Sequence, residues 1–140
     1  MPKKYTWYWN YIQENNKGRH DKTKEKLYRR VLSARSRWAD KYDLDKSDID
    51  KLIKKSLGKK CPYCGEIITT ENMSLDHMNP QTKGGSNSLD NLHIVDNICN
   101  RRKGELTHEE YKSLINLINT EFSKESKKYI KRKLSAKTWY

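Results

Sequence analysis

Apolar positions fall into runs of different period along this chain, and each run predicts an element. Residues 5–11 alternate, with Tyr5, Trp7, Trp9 and Tyr11 on one side, which is the spacing of an extended segment. Such a row either stacks on bases and sugars or clamps the core, and clamping is the commoner use of large aromatics. Residues 13–23 read as a polar loop. Over residues 24–42, Leu27, Tyr28, Val31, Leu32, Trp38, Ala39 and Tyr42 follow helical spacing. Arg29, Arg30, Arg35 and Arg37 are spread around that helix, either along a polyanion or in solvent. A second helix is expected from Ser47, a good N-cap, to Leu57, with Ile49, Leu52 and Ile53 inward. Gly58 is placed to stop it.

The next stretch predicts short strands at residues 73–77 and 92–95, a loop closed by residues 87–91, and a helix over 97–104. Thr107 and Glu110 have capping-box spacing, and Tyr111, Leu114, Ile115, Ile118 and Phe122 carry a helical stripe to about Glu121. The lysine-rich tail, 123–140, has Tyr129, Ile130 and Leu134 as its anchors before Trp139 and Tyr140. It is either a helix docked by that weak face or disordered until it meets a partner. The expected organisation is a basic aromatic arm with helices (1–60), a central core (61–107), and a C-terminal helix with a basic tail (108–140).

Composition narrows the class. At 140 residues, 34% apolar and 34% charged, the chain has room for one lean core. Small cores of this kind often recruit a metal, a disulfide or a partner. The net charge of +12 favours a polyanion, and its distribution says more: +10 over residues 1–60, −4 over 61–122 and +6 over 123–140. An acidic centre between basic arms suits a metal-dependent site flanked by phosphate-binding segments. No membrane span or export signal is apparent, and three cysteines, two of them in a C-x-x-C pair, suggest metal or redox chemistry in a reducing, intracellular setting.

The candidate chemistry lies in residues 61–107. In order they carry Cys61-Pro62-Tyr63-Cys64-Gly65, then Asp76-His77, Pro80 and Gly84-Gly85, then Asn91-Leu92, then Cys99-Asn100 with Lys103-Gly104. Each piece alone is weak. The order and spacing together resemble the HNH endonuclease family, whose ββα-metal (His-Me finger) motif runs the same way. The resemblance covers about a third of the chain and says nothing of its ends. It implies an α+β fold with a zinc knuckle and flanking helices, and hydrolysis of DNA to 5′-phosphate and 3′-hydroxyl ends. Asp76 and Asn100 would hold a catalytic Mg²⁺ or Mn²⁺, His77 would be the general base, and Asn91 would brace the loop that orients it. Asn100 in the third motif position makes this an H-N-N variant, and a freestanding domain with basic arms looks like phage or mobile-element homing and nicking enzymes.

Those residue types suit the task. A diester anion repels hydroxide, so a hard cation on oxygen ligands must offset its charge, and a histidine titrating near neutrality can deprotonate water. Arg101, Arg102 and Lys103 on the short helix, and Lys127, Lys128, Lys131 and Arg132 in the tail, are candidate phosphate contacts. For structural zinc, Cys61 and Cys64 match the family's first cysteine pair and Cys99 the last position. Asp96 stands in the remaining one, a helical turn before Cys99, where carboxylate is a permitted ligand. His93 or water are alternatives there, as is a decayed site of three thiols. His93 otherwise reads as a strand residue, and His20 and His108 as surface residues. DNA is the expected partner, with no membrane and no small-molecule cofactor. The rival readings are a zinc-stabilised DNA-binding module without catalysis, and a nuclease subunit of a larger complex.

Overall fold

The computed structural model describes residues 5–136. The first element is a helix, α1 (Thr6–Asn15), where the alternating aromatics had predicted extended chain. Tyr8 explains the difference: with it, five of the seven residues from Tyr5 to Tyr11 are aromatic, and so dense a run fits either period. Tyr8 and Ile12, one helical turn apart, are the fully buried pair. Tyr5, Trp7, Trp9 and Tyr11 pack partly buried around the same core, so the row is a clamp. Trp9 meets Tyr28 edge-on at 5.6 Å, and the Tyr8 hydroxyl hydrogen-bonds Asp50.

The long helix α2 (Asp21–Tyr42) starts on a His20 cap and buries Leu27, Tyr28, Val31, Ala34, Trp38 and Ala39. It ends at Asp43, whose left-handed φ of 53° turns the chain into α3 (Lys46–Ser56). Asp45, rather than Ser47, caps α3, accepting from the Ser47 amide at 2.8 Å. Ile49 and Ile53 are fully buried against α2, and Arg35 ties the two helices through Asp50 at 2.7 Å.

Two strands, β1 (Met73–His77) and β2 (Leu92–Asp96), form an antiparallel pair, followed directly by α4 (Asn97–Lys103). The register sets Leu75 opposite Ile94 and Asp76 opposite His93. A capping box of Thr107 and Glu110 starts α5 (His108–Glu121) as its spacing predicts. The tail forms α6 (Lys124–Ser135) and docks on α4, where Arg102 Nε donates to Ser135 Oγ at 2.6 Å. The docked alternative therefore holds as far as Ala136; Trp139 and Tyr140 lie outside the described residues. The molecule is an α+β fold with a small two-stranded sheet, and no helix among the described residues is long and apolar enough to cross a membrane.

Candidate active site and thiol cluster

Fourteen residues join β1 to β2, and two features let that loop fold back tightly. Gly84 has a φ of 83°, a region that favours glycine, and Gly85 passes so close to the chain that a Cβ there would lie 1.7 Å from the Asn79 carbonyl oxygen. Asn91 then clips the loop shut. Its Oδ1 accepts from the Asn79 amide at 2.9 Å, and its Nδ2 donates to the carbonyls of Asn79 (3.0 Å) and Ser86 (2.7 Å). Lys83 anchors the outside of the loop to Glu110 at 2.7 Å. That hydrogen bond, with those from Thr107, holds the Glu110 carboxyl down at about 2.

The clipped loop presents Asn87 to His77. Asn87 Oδ1 lies 2.9 Å from His77 Nε2 and also accepts from Gln81 Nε2 at 2.8 Å. An amide oxygen can only accept, so the neutral imidazole carries its proton on Nε2 and leaves the Nδ1 lone pair free. Tyr42 of α2 sets its ring at 72° to the imidazole, with centroids 5.0 Å apart. Asn91 thus braces the loop, while direct contact with His77 belongs to Asn87.

Asp76 is 3% exposed and fully engaged. Its Oδ2 accepts from His93 Nε2 at 2.7 Å and from the Tyr63 hydroxyl at 3.1 Å, and its Oδ1 lies 3.2 Å from Lys103 Nζ. Lys103 also donates to the His77 carbonyl at 2.8 Å, and only 1% of its side chain is exposed. As a candidate phosphate contact it is therefore corrected: it is the buried counter-ion of Asp76. Tyr63 also meets His108 Nδ1 at 2.8 Å, which draws His108 in from its expected surface position. Burial first, and the charge of Asp76 second, push the Tyr63 phenol well above its usual range, so it stays a donor. Burial, with His93 beside it, lowers His108.

Removing one partner of a buried ion pair leaves the other uncompensated. Lys103→Met is accordingly expected to destabilise the fold by about 3–5 kcal/mol. Urea unfolding at neutral pH measures this, and a loss under about 1 kcal/mol would show that Asp76 is not relying on Lys103.

Asn100 is brought to the same place by α4. Its Nδ2 donates to Ser74 Oγ at 2.8 Å and to the Leu75 carbonyl at 3.3 Å, while its Oδ1 accepts no hydrogen bond among the described residues. Asp76, His77, Asn100 and Lys103 all line one open cleft of about 460 Å³. An amide oxygen without a donor and a carboxylate on the same cleft are a donor set that fits a hard divalent cation, provided Asp76 Oδ1 gives up its contact with Lys103 Nζ.

A second cluster lies outside that cleft. The sulfur atoms of Cys61, Cys64 and Cys99 lie within 4.8 Å of one another and could hold a metal ion. The hydrogen bond from Cys99 draws the Cys61 thiol down to about 5 against the opposing effect of burial, and the amides of Asp96, Tyr63 and Cys64 assist. The same hydrogen bond and burial push Cys99 up. One sulfur is thus favoured as the thiolate, the form that binds metal. Asp96, expected to complete this set, is turned away. Its Oδ1 caps α4 by accepting from the Ile98 amide at 2.7 Å, and its Oδ2 accepts from Asn72 Nδ2 at 3.2 Å. His93 is likewise committed to Asp76. The structure does not bring either into the thiol cluster.

Of the residues that the sequence casts in another role, two carried a usable signal for the one seen. His93 faces Asp76 once the two strands are paired in register, and Lys103 follows Asn100 at i+3 on one helix face. Nothing in the local pattern marked Tyr63, Asn87 or His108, whose roles arise from tertiary contact. Of the remaining candidate phosphate contacts, Arg101, Lys128 and Arg132 are exposed and Lys127 is half-buried. Arg102 is held by Ser135, and Lys131 donates to Asn119 Oδ1 at 3.3 Å.

No curated protein matches the chain. Residues 61–113, which span the thiols, both strands, the clipped loop, α4 and the start of α5, match the HNH endonuclease family, and this part of the chain is similar to that family of nucleases.

Proposed function

We propose that the protein is a metal-dependent endonuclease that hydrolyses DNA phosphodiesters, built on a ββα-metal core. The observation that carries the reading is that one cleft is lined by Asp76, by His77 with its Nε2 held by Asn87, and by Asn100 with its Nδ2 held by Ser74. Asp76 Oδ1 and Asn100 Oδ1 would hold a divalent cation of the Mg²⁺ or Mn²⁺ type. Bound there, it would offset charge on the diester and on the departing oxygen. His77 Nδ1 takes a proton from the attacking water as the new P–O bond forms and the bond to the 3′ oxygen breaks. The 3′ oxygen leaves protonated by solvent, giving 5′-phosphate and 3′-hydroxyl ends.

The rest of the network positions these groups. Asn87 holds the ring tautomer, Asn91 holds Asn87 in place through the loop, and Tyr63 and His93 fix the Asp76 carboxylate by its far oxygen. In the same reading Cys61, Cys64 and Cys99 hold a structural zinc. Tetrahedral Zn–S bonds of about 2.3 Å place sulfurs roughly 3.8 Å apart, which this cluster meets with little movement. The fourth position is left to water, since Asp96 and His93 are committed elsewhere. Arg101, Lys127, Lys128 and Arg132 are the remaining outer phosphate contacts.

Incubating the purified protein with supercoiled plasmid tests the activity. Nicked or linear product is expected with Mg²⁺ or Mn²⁺ and none without. Plasmid that stays supercoiled under every divalent ion, yet is bound, would favour the non-catalytic DNA-binding module.

A further inference from the structure

The cleft is not built from the matched segment alone. One wall comes from the C-terminal half of α2, outside residues 61–113, through Arg37, Trp38, Lys41 and Tyr42. Trp38 is buried and fastens this part of α2 to the core, and Tyr42 touches the His77 ring. Arg37 and Lys41 stand one helical turn apart on the same face, and both are exposed. Neither makes a hydrogen bond or ion pair among the described residues; Lys41 Nζ lies over the Tyr42 ring at 5.3 Å.

Charge around the cleft is uneven in a way that selects an anion for this wall. Lys103 is neutralised by Asp76, so it offers little attraction outward. Glu105 lies on the rim beyond α4, which repels a polyanion from that side. Arg37 and Lys41 are the uncompensated cations of the cleft, and they line it together with His77, with Lys41 over the Tyr42 ring that meets the imidazole. The central segment is net acidic, so the attraction it lacks must come from another part of the chain.

We infer that Arg37 and Lys41 form a phosphate-holding subsite that grips the backbone of the substrate strand next to the bond presented to His77. The inference rests on the nuclease reading above and names what grips its substrate beside the reacting bond: α2, with Arg101 and the α6 cations left as outer contacts away from the cleft. α6 packs on the thiol side of α4 and, among the described residues, lines no part of this cleft, so its cations do not do this job.

The test is a salt titration of binding to a labelled DNA duplex, in a His77→Ala background so that bound strands stay whole. Each phosphate contact contributes about −0.9 to the slope of log affinity against log salt. Arg37→Ala/Lys41→Ala should flatten the slope by about 1.8. The matched control, Lys26→Ala/Arg30→Ala, removes two exposed charges one turn apart on the same helix but outside the cleft, and should leave the slope nearly unchanged. Arg37→Lys/Lys41→Arg should keep the parent slope, which separates charge from shape. Alanine is a strong helix former, so these variants retain α2, and an unchanged melting temperature confirms it. Equal flattening by the cleft and control pairs would reduce the subsite to a general field and overturn it. No flattening by the cleft pair, with plasmid nicking present in the protein that retains His77, would overturn the subsite and leave the nuclease reading standing. A parent that binds no duplex would overturn both.

Discussion

Replacing His77 with alanine should reduce strand cleavage by about 10²–10⁴-fold, the usual contribution of a positioned general base. Binding to duplex DNA should be nearly unchanged, because the imidazole faces the reacting water and makes no phosphate contact in this reading. His77 is the cleanest probe of the site. Asp76 is less clean, since its loss would strand the buried Lys103 and mix folding with chemistry. A graded companion is Asn87→Ala, which removes the acceptor that keeps the proton on Nε2. It should lower turnover by less than His77→Ala does and shift the pH profile, because the ring is then free to change tautomer. The measurement is single-turnover nicking of supercoiled plasmid at saturating Mg²⁺. A His77→Ala protein that cuts within a few-fold of the parent would remove His77 from the mechanism.

Stripping metal from the thiol cluster should have the largest effect on stability. Structural zinc sites contribute on the order of 10 kcal/mol of apparent binding free energy, comparable to the whole stability of a small domain. The dependence here is physical. Residues 57–72 contain no helix or strand beyond an isolated bridge between Lys60 and Ile67, and besides the buried side chains of Leu57, Tyr63 and Ile68 a metal on Cys61, Cys64 and Cys99 would tie them to α4. Protein never exposed to added zinc should carry about one zinc per chain, and exhaustive chelation should abolish cooperative thermal unfolding. Asp96→Ala should leave the zinc content unchanged and cost only about 1 kcal/mol, the value of a lost helix cap. Absence of zinc together with an unaltered melting temperature after chelation would end the structural-metal reading. Loss of zinc in Asp96→Ala would return Asp96 to the ligand set.

Both expectations place Tyr63 between the two centres. It lies between the cysteines of the knuckle in sequence and touches Asp76 in space, so disorder in the thiol cluster reaches the cleft through one hydroxyl. If both readings hold, loss of metal from the thiol cluster should lower plasmid nicking even with the cleft residues untouched.

What the sequence determined by itself is local. Helical spacing from Leu27 to Tyr42 and from Tyr111 to Ile118, the Thr107–Glu110 box, and the strand–loop–strand–helix order of the central segment are consequences of nearest-neighbour geometry. The structure reproduces them within a few residues. Ordered motif spacing, which survives without knowledge of packing, named Asp76, His77 and Asn100, and the structure sets these three on one cleft, but the α2 wall of that cleft was not legible. Where the local signal was degenerate, it misled: a run with five aromatics in seven residues fits both periods, and burial of Tyr8 and Ile12 decided for the helix. Tertiary structure decided how the buried polar groups of the cleft are satisfied. Buried charges need partners within about 3 Å, and those of Asp76 come from distant parts of the chain, whereas helix caps are met by near neighbours. That requirement took Lys103 from the surface to Asp76, drew Asp96 to the end of α4 instead of the thiols, and set His93, Tyr63 and His108 around one carboxylate.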